Sequence, residues 1–295
     1  MNKYTVLPLL NSSFEPGKAL ETVEQFEDKD FRNIAMAELY YFTGKAKECC
    51  EITELYLENE KMELRLSACM LYCYANLTLG RSVASKRGLQ GIQECISKAM
   101  KKEISEELQA SCVLAHQAYL NGEYWSAYGM CKAALFMTRE TYPISMVYLR
   151  CMMSTCRINR RYKKEAQIDL MEGWKMAEKD DFVEPFIEHH GLLQGLIEVC
   201  IRKNDPDAYK RITDGVLSFS RGWMAVHNPE TKNKVTDELT VMEFSIAMQA
   251  SGGWTNKEIA AHMGISVNTV KHYLTDIFCK LDIKKREELK QYMLN

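Results

Sequence analysis

Apolar residues recur at intervals of three or four along most of the chain, from about residue 16 to about residue 223. That spacing places them on one face of an α-helix, whereas alternating apolar and polar stretches, which would indicate strands, are scarce. The stretch AMAELYYFTGKAKECCEITELYL (residues 35–57) contains one complete unit: a helix, a turn at Gly44, and a second helix. The pattern predicts an all-α protein.

This two-helix unit recurs along the chain. Further turns are predicted at Gly80 and Gly122, and a fourth version carries small residues at Ala166 and Gly173. Turns spaced by roughly 35–40 residues are typical of tetratricopeptide (TPR) repeats, in which small residues let paired helices approach closely. We therefore predict a TPR-like helical array over residues 1–226, which would serve as a sensor or interaction domain. An irregular helical bundle is the alternative.

The helical periodicity stops at residues 227–237. This segment contains Asn228-Pro229 and several polar residues, lacks apolar periodicity, and is predicted to be a linker. The remainder, residues 238–295, is then a separate C-terminal domain.

Three short helices are predicted after the linker. Thr240 can cap the first, and Thr255 can cap the second with Glu258 three residues later. Gly264 can take the left-handed conformation that ends the second helix, and the third opens at Ser266. Two short helices joined by a tight glycine turn are typical of the DNA-binding helix-turn-helix.

The third of these helices has two different faces. One carries an apolar stripe, formed by Val267, Val270, Leu274, Ile277, Phe278 and Leu281. The other carries hydrogen-bond donors that suit base edges in the major groove, namely Asn268, Lys271, His272 and Thr275. Phosphate contacts are predicted on the flanks, at Thr255, Asn256, Lys257, Lys280, Lys284, Lys285 and Arg286.

The segments LTVMEF, TNKEIA, GIS, TVK and the closing KL and REEL are similar, in order and spacing, to the LuxR-type (NarL/FixJ-type) helix-turn-helix domain, over roughly residues 238–294. In that family this domain has four helices. The resemblance implies that Lys271, His272 and Thr275 contact bases, and that Lys257 and Thr269 contact the DNA backbone. It also implies a dimer contact through a last helix, from about residue 285 to residue 293.

The chain departs from the family pattern at several positions. Met242 stands where an arginine before the glutamate is usual, and Asp282 stands where a glycine after KL is usual. Ala247 and Gln249 stand where leucines are expected. These changes concern the ion pair of Glu243 and the packing of the first of the three helices, and they leave the donor-rich face of the third helix intact.

A helical array directly before such a domain resembles the C-terminal half of the MalT-like regulators, the large ATP-binding members of the LuxR family. The chain has no G-x-x-x-x-G-K-[ST] motif, so ATP binding is not predicted. The first helices of TPR-like repeats line the inner surface of the array. Four polar or aromatic residues on them are candidate ligand-binding residues: Tyr72, Asn76, His116 and Gln117.

Composition and net charge limit the kinds of binding site that the chain can carry. The chain has 295 residues and a net charge of -2, so contact with nucleic acid must come from a local patch and not from the whole molecule. The eleven cysteines are scattered through helical segments without metal-ligand spacing, and we interpret them as buried thiols of a cytoplasmic protein. We interpret His189 and His190 as a surface pair. No metal, cofactor, signal peptide or transmembrane helix is predicted.

Two functions are compatible with these features. The first is a sequence-specific, homodimeric regulator of transcription that binds double-stranded DNA and whose array senses a small-molecule, peptide or protein effector. The second is a protein-interaction scaffold whose helix-turn-helix does not bind DNA. Enzymatic activity is not expected, because no nucleophile and base, paired carboxylates or metal set stand at a suitable spacing.

Overall fold

The computed structural model of the protein describes residues 16–78, 104–137, 143–227 and 239–292. Within these ranges the chain forms fourteen α-helices and two 3-10 helices and no strand, which confirms the all-α prediction. The first eight α-helices are α1 (Pro16–Glu24), α2 (Lys29–Phe42), α3 (Ala46–Glu54), α4 (Met62–Thr78), α5 (Ile104–Leu120), α6 (Tyr124–Met137), α7 (Pro143–Asn159) and α8 (Lys163–Ala177). The next six are α9 (Glu184–Glu188), α10 (Leu196–Cys200), α11 (Pro206–His227), α12 (Val241–Ser251), α13 (Asn256–Met263) and α14 (Val267–Lys280).

The hairpins α2–α3, α5–α6 and α7–α8 share one kind of turn. Each contains a left-handed residue after the first helix: Gly44 (φ 76°), Gly122 (φ 80°) or Arg161 (φ 68°). In every case its amide donates to the carbonyl three residues earlier, and the next amide donates to the carbonyl five residues earlier, at 2.7–3.0 Å. The predicted turns at Gly44 and Gly122 are therefore confirmed, whereas Gly80 lies outside the described residues.

Small residues allow the paired helices to pack closely. Ala37, Cys49, Ala115, Ala127 and Ala166 are all completely buried. Neighbouring hairpins also touch, since α3 packs on α4, α4 on α5, and α6 on α7. The result is a stack of helix pairs; the specific TPR-like assignment stays a prediction.

The regular pairing ends after α8. A 3-10 turn at Glu178–Asp180 leads into the short helices α9 and α10, and Gly195, with φ of 84°, lies directly before α10. Helix α9 packs on α7 and α11, and α10 packs on α8 and α13. The α9–α10 segment therefore lies between the helical array and the C-terminal domain. Of the predicted linker, only residue 227 is described, as the last residue of α11, so the domain boundary stays a prediction.

The C-terminal domain consists of α12, α13, α14 and a 3-10 helix at Arg286–Gln291. One hydrophobic core extends without interruption from Val147 in α7 to Leu289 in that last 3-10 helix. Trp254 is 2% exposed, and two cations of the array approach its ring: the guanidinium of Arg161 at 4.5 Å and the ammonium of Lys163 at 4.6 Å from the centroid. Apolar burial and cation–π attraction thus hold the domain on the array.

Polar contacts fix the orientation of the two domains. Arg161 forms a 3.0 Å ion pair with Glu258 at the start of α13. The Nε2 atom of His262 lies 3.0 Å from the carbonyl oxygen of Gln194. Burial lowers the pKa of His262 to about 4, so the imidazole is neutral at pH 7 and Nε2–H donates this hydrogen bond.

The interpretation of His189 and His190 as a surface pair is wrong, because both side chains are buried. His190 Nε2 lies 2.8 Å from Glu198 Oε1, and the same oxygen accepts a hydrogen bond of 3.0 Å from Ser245 of the C-terminal domain. His189 lies on the other side of the segment, against Tyr148. Local spacing does not predict this burial, because Tyr148 and Ser245, which cover the two histidines, lie about 40 or more positions away along the chain.

We predict that Gly195→Ala weakens the packing of the C-terminal domain. A Cβ at Gly195 would lie 2.7 Å from Nε2 of Gln249 and closer still to the sulfur of Met263. The matched control is Gly253→Ala, whose backbone is equally left-handed (φ 76°) but whose Cβ would meet nothing within 4 Å. Both substitutions strain the backbone by about 1–2 kcal/mol. Only Gly195→Ala adds a steric cost, of about 1–3 kcal/mol.

Urea unfolding of the two variants measures this difference in the free energy of unfolding. Equal destabilisation by Gly195→Ala and Gly253→Ala would contradict the close packing of Met263 and Gln249 on Gly195.

Candidate nucleic-acid interface

Helix α14 packs through the stripe predicted from the sequence. Val270, Leu274, Ile277 and Leu281 are buried, and Val267 and Phe278 are partly buried against the same core. The helix begins at Ser266, whose hydroxyl accepts a hydrogen bond of 3.0 Å from the amide of Thr269. The N-cap and the stripe together fix the rotation of α14 about its axis, and therefore the direction of its other face.

The opposite face of α14 is open to solvent. Asn268, Lys271, His272 and Thr275 are all exposed, and Thr269 is partly exposed. This holds while the domain is packed on the array, because the array contacts α12 and α13 from the other side. Exposed donors on one face of a helix are what direct readout in a major groove requires.

The start of α13 has an ordered N-terminus. Thr255 and Glu258 form the predicted capping box: the amide of Thr255 donates to the Glu258 carboxylate at 2.7 Å, and the amide of Glu258 donates to the Thr255 hydroxyl at 3.3 Å. Thr255 and Lys257 are exposed beside this helix end. Their position suits a phosphate contact, which free amides and a nearby cation favour.

Arg286 and Asn256, two of the predicted phosphate-contacting residues, form hydrogen bonds within the domain. Arg286 donates to Oδ1 of Asn256 at 2.7 Å and also bonds the carbonyl oxygen of Trp254, so it ties the last 3-10 helix to the start of α13. Lys284 and Lys285 are exposed. We expect Arg286 and Asn256 to act mainly by holding α13 in place.

Lys280 is also engaged, with a partner that explains a departure from the family pattern. Its ammonium donates to both carboxylate oxygens of Glu243 at 2.7 Å. Partial burial of Glu243 acts to raise its pKa, but hydrogen bonds from Lys280 and Thr240 outweigh it and hold the pKa below its usual value. Lys280 therefore supplies the cation that Met242 does not.

Two turns in the domain need a left-handed residue. Gly264, with φ of 67°, ends α13 as predicted. Asp282 has φ of 50°, which explains why a glycine is usual at that position. The last element, predicted as a helix from about residue 285 to residue 293, is a 3-10 helix at Arg286–Gln291 whose Leu289 is fully buried. A dimer contact through it stays a prediction.

The four candidate ligand-binding residues do not form one site. Asn76 donates to the carbonyl of Tyr72 on its own helix at 2.8 Å, and Gln117 donates to Asn121 at 3.0 Å. His116 is 2% exposed and lies among aromatic rings, with its centroid 6.5 Å from that of Tyr74. A ligand role for these residues stays a prediction.

A cluster that the sequence did not reveal lies around His116. Glu188, the last residue of α9, accepts hydrogen bonds from three tyrosines: Tyr41 at 3.0 Å, Tyr74 at 2.6 Å and Tyr148 at 2.8 Å. We call Glu188 and these tyrosines the Glu188 cluster. The tyrosines come from α2, α4 and α7, at 147, 114 and 40 positions from Glu188, so no local spacing could indicate it.

Comparison with known proteins supports the assignment of the C-terminal domain. Residues 237–293 match the family model described as bacterial regulatory proteins, luxR family. This segment is therefore a LuxR-family helix-turn-helix domain, which confirms the class predicted from its motifs.

Several regulators share sequence with the chain. The probable transcriptional regulatory protein SgaR of Hyphomicrobium methylovorum is 32% identical over 84 residues, which cover 25% of this chain and 37% of SgaR. LiaR of Bacillus subtilis, a transcriptional regulatory protein, is 34% identical over 125 residues (38% of this chain, 56% of LiaR). The HTH-type transcriptional regulator MalT of Klebsiella pneumoniae is 23% identical over 146 residues (44% of this chain, 16% of MalT).

The chain thus spans well under two thirds of the length of each of these three relatives. No solved structure matches it. In the described ranges, no helix has the length and apolar character needed to cross a bilayer. The same part of the chain contains no group of three or more histidine, cysteine or acidic side chains arranged to hold a metal ion.

The Glu188 cluster predicts a specific pH dependence of stability. Burial raises the pKa of Glu188 from 4.5 to about 7, although the three tyrosine hydrogen bonds act in the opposite direction. Because the folded state binds the proton more tightly than the unfolded state, the stability contributed by protonation is full below pH 4.5 and is lost as the pH rises through about 7.

The measurement is the free energy of unfolding of the wild type minus that of Glu188→Gln, as a function of pH. Taking this difference removes the opposing contributions of the buried histidines His116 and His189, whose pKa values burial lowers to about 3 and about 4. We expect the difference to fall between pH 4.5 and about 7 and then to level off. A difference independent of pH would contradict the burial of this carboxylate.

Proposed function

We propose that the protein is a bacterial, sequence-specific DNA-binding regulator of transcription, in which α14 enters the major groove. The observation that carries this proposal is the exposed donor face of α14, opposite a stripe that packs into the core. The LuxR-family match over residues 237–293 and the regulators named above support it.

The proposal assigns roles to the residues predicted from the sequence. Lys271, His272, Thr275 and Asn268 contact base edges, because they occupy the open face of α14. Thr255, Lys257, Thr269, Lys284 and Lys285 contact phosphates beside it and set the position on the duplex. Asn256, Lys280 and Arg286 stabilise these elements through the contacts described above.

We also propose how the chain assembles on DNA and how an effector controls its binding to DNA. The net charge of -2 does not favour tight binding by a single domain, so two copies of the chain bind two half-sites. The helical array binds a small-molecule, peptide or protein effector and changes the orientation of the DNA-binding domain through the α9–α10 segment. Within this segment, α10 contacts both α8 of the array and α13 of the C-terminal domain. The protein acts in the cytoplasm and catalyses no reaction.

The first test is Lys271→Ala, with the full chain and a duplex selected from a random pool. We expect the loss of a base contact to weaken specific binding by about 1–3 kcal/mol. Lys132→Ala is the matched control, because Lys132 is an exposed lysine of the array, far from α14 in sequence, and its replacement changes the net charge equally. Fluorescence anisotropy over a range of salt concentrations measures both affinity and the number of phosphate contacts.

Failure of the wild-type chain to select any duplex, together with a salt slope near zero, would contradict the proposal. The same would follow from equal affinities of Lys271→Ala and Lys132→Ala. Either result would favour the protein-interaction scaffold instead.

A further inference from the structure

The Glu188 cluster joins four separate helices at one carboxylate. Oε2 of Glu188 accepts hydrogen bonds from Tyr41 and Tyr74, and Oε1 accepts one from Tyr148. Tyr41 is buried, but Tyr74, Tyr148 and Glu188 itself are partly exposed. The protein thus encloses the cluster only in part.

Aromatic rings form the walls around this carboxylate. The ring centroids of Tyr41 and Tyr74 are 5.3 Å apart, and those of Tyr74 and Tyr148 are 5.9 Å apart at an interplanar angle of 89°. His189 packs against Tyr148 at 5.9 Å. Such rings present faces with negative electrostatic potential, which attract cations.

Among the described residues, the two carboxyl groups of α9 have no cationic partner. Glu184, one turn before Glu188, has a buried Oε2 that accepts no hydrogen bond. In the described part of the chain, no lysine or arginine lies within ion-pair distance of either carboxylate, although Asp169 and Glu243 both have such partners. Enclosing carboxylates without a counter-ion is costly, which is why such groups are usually paired.

A second buried group also lacks a partner. Nδ1 of His116 makes no hydrogen bond, and the ring is 2% exposed. The ring lies against two rings of the walls, with its centroid 6.5 Å from that of Tyr74 and 6.0 Å from that of His189. Buried polar atoms in folded proteins nearly always have a partner, so this unpaired atom, which adjoins two rings of the walls, indicates a site for a bound molecule.

We propose that the Glu188 cluster, together with Glu184 and His116, binds a small organic cation whose ammonium group pairs with Glu188. The carboxylate supplies the opposite charge, and the faces of Tyr74 and Tyr148 enclose the rest of the ammonium group. Glu184 lies one helical turn away, so a second ammonium group on the same molecule can pair with it. His116 Nδ1 is available to a polar group of the same ligand.

This cation site deepens the effector-sensing part of the proposed function. Binding of the cation does not depend on that function, and only the effect of binding on the DNA-binding domain rests on it. Glu188 ends α9. In the segment that follows, His190 pairs with Glu198, and Glu198 accepts a hydrogen bond from Ser245 of the C-terminal domain. A cation bound at Glu188 therefore acts on the segment that holds the DNA-binding domain.

The experiment is isothermal titration of the full chain with propylammonium chloride and with putrescine dihydrochloride. Propanol, of similar shape but neutral, and potassium chloride at equal ionic strength are the ligand controls. We expect saturable binding of both amines, tighter for putrescine, and no binding of propanol or of potassium. If the amines acted only by screening charges, potassium chloride at the same ionic strength would give equal heats. That result would overturn the proposal.

Glu188→Gln tests the site itself, because it keeps the shape of the side chain and removes its charge. We expect it to weaken amine binding by about tenfold or more, since an ion pair shielded from water is lost. Glu54→Gln is the matched control, an exposed glutamate on α3 whose replacement should leave binding unchanged. Circular dichroism checks that each variant folds; if Glu188→Gln does not fold, Glu184→Gln serves in its place, with a loss expected mainly for putrescine.

Absence of saturable amine binding to the wild type, or equal binding by Glu188→Gln and Glu54→Gln, would mean that the cluster only holds the helices together. DNA binding, measured separately on the same preparations, keeps the two proposals apart. Amine binding without DNA binding would contradict the proposed function alone, and DNA binding without amine binding would contradict this inference alone.

Discussion

The packing of Trp254 on the helical array is the interaction on which the arrangement of the protein depends. Its indole is buried, with Arg161 and Lys163 of the array on its ring, and the ion pair between Arg161 and Glu258 lies directly beside it. These contacts use the side of α12 and α13 that faces away from the donor residues of α14. The array can therefore hold the DNA-binding domain in one orientation without covering the face that we propose contacts DNA.

The α9–α10 segment also holds the C-terminal domain on the array, because α10 contacts both α8 and α13. Residues of this segment contact both parts of the protein. Glu188 and His189 contact Tyr148 of the array, whereas His190 pairs with Glu198, which accepts a hydrogen bond from Ser245. Because Tyr41 on one side and Ser245 on the other are buried, a shift of either end of the segment moves closely packed side chains. The control that we propose requires a contact of this kind between the array and the C-terminal domain.

The local elements of the DNA-binding domain could be predicted from the sequence. Thr240, Thr255 and Ser266 each cap a helix as expected, because an N-cap depends only on residues within one turn. The apolar stripe of α14 and the turns at Gly44 and Gly122 depend in the same way on local spacing. The TPR-like array, by contrast, is supported only as a stack of hairpins, because segment 79–103 lies outside the described residues.

The Glu188 cluster and the contacts of Lys280 could not be predicted, because they depend on tertiary packing. The hydrogen bond from Tyr41 to Glu188 spans 147 positions, and the ion pair of Lys280 with Glu243 spans 37. His189 and His190 have the composition of a surface pair and become buried only because helices from two domains close around them. Of the ligand candidates, His116 packs on Tyr74 of the cluster, whereas Gln117 donates a hydrogen bond to Asn121 at the end of α5.

Chemical footprinting of lysines tests whether α14 binds DNA through its exposed face while α13 stays packed on the array. The full chain is acetylated with and without a selected duplex, and each lysine is quantified by mass spectrometry. We expect DNA to protect Lys271 and Lys257 and to leave the reactivity of Lys163, beside Trp254, unchanged. Unchanged reactivity of Lys271 in the DNA complex, or a large gain in reactivity at Lys163, would contradict it.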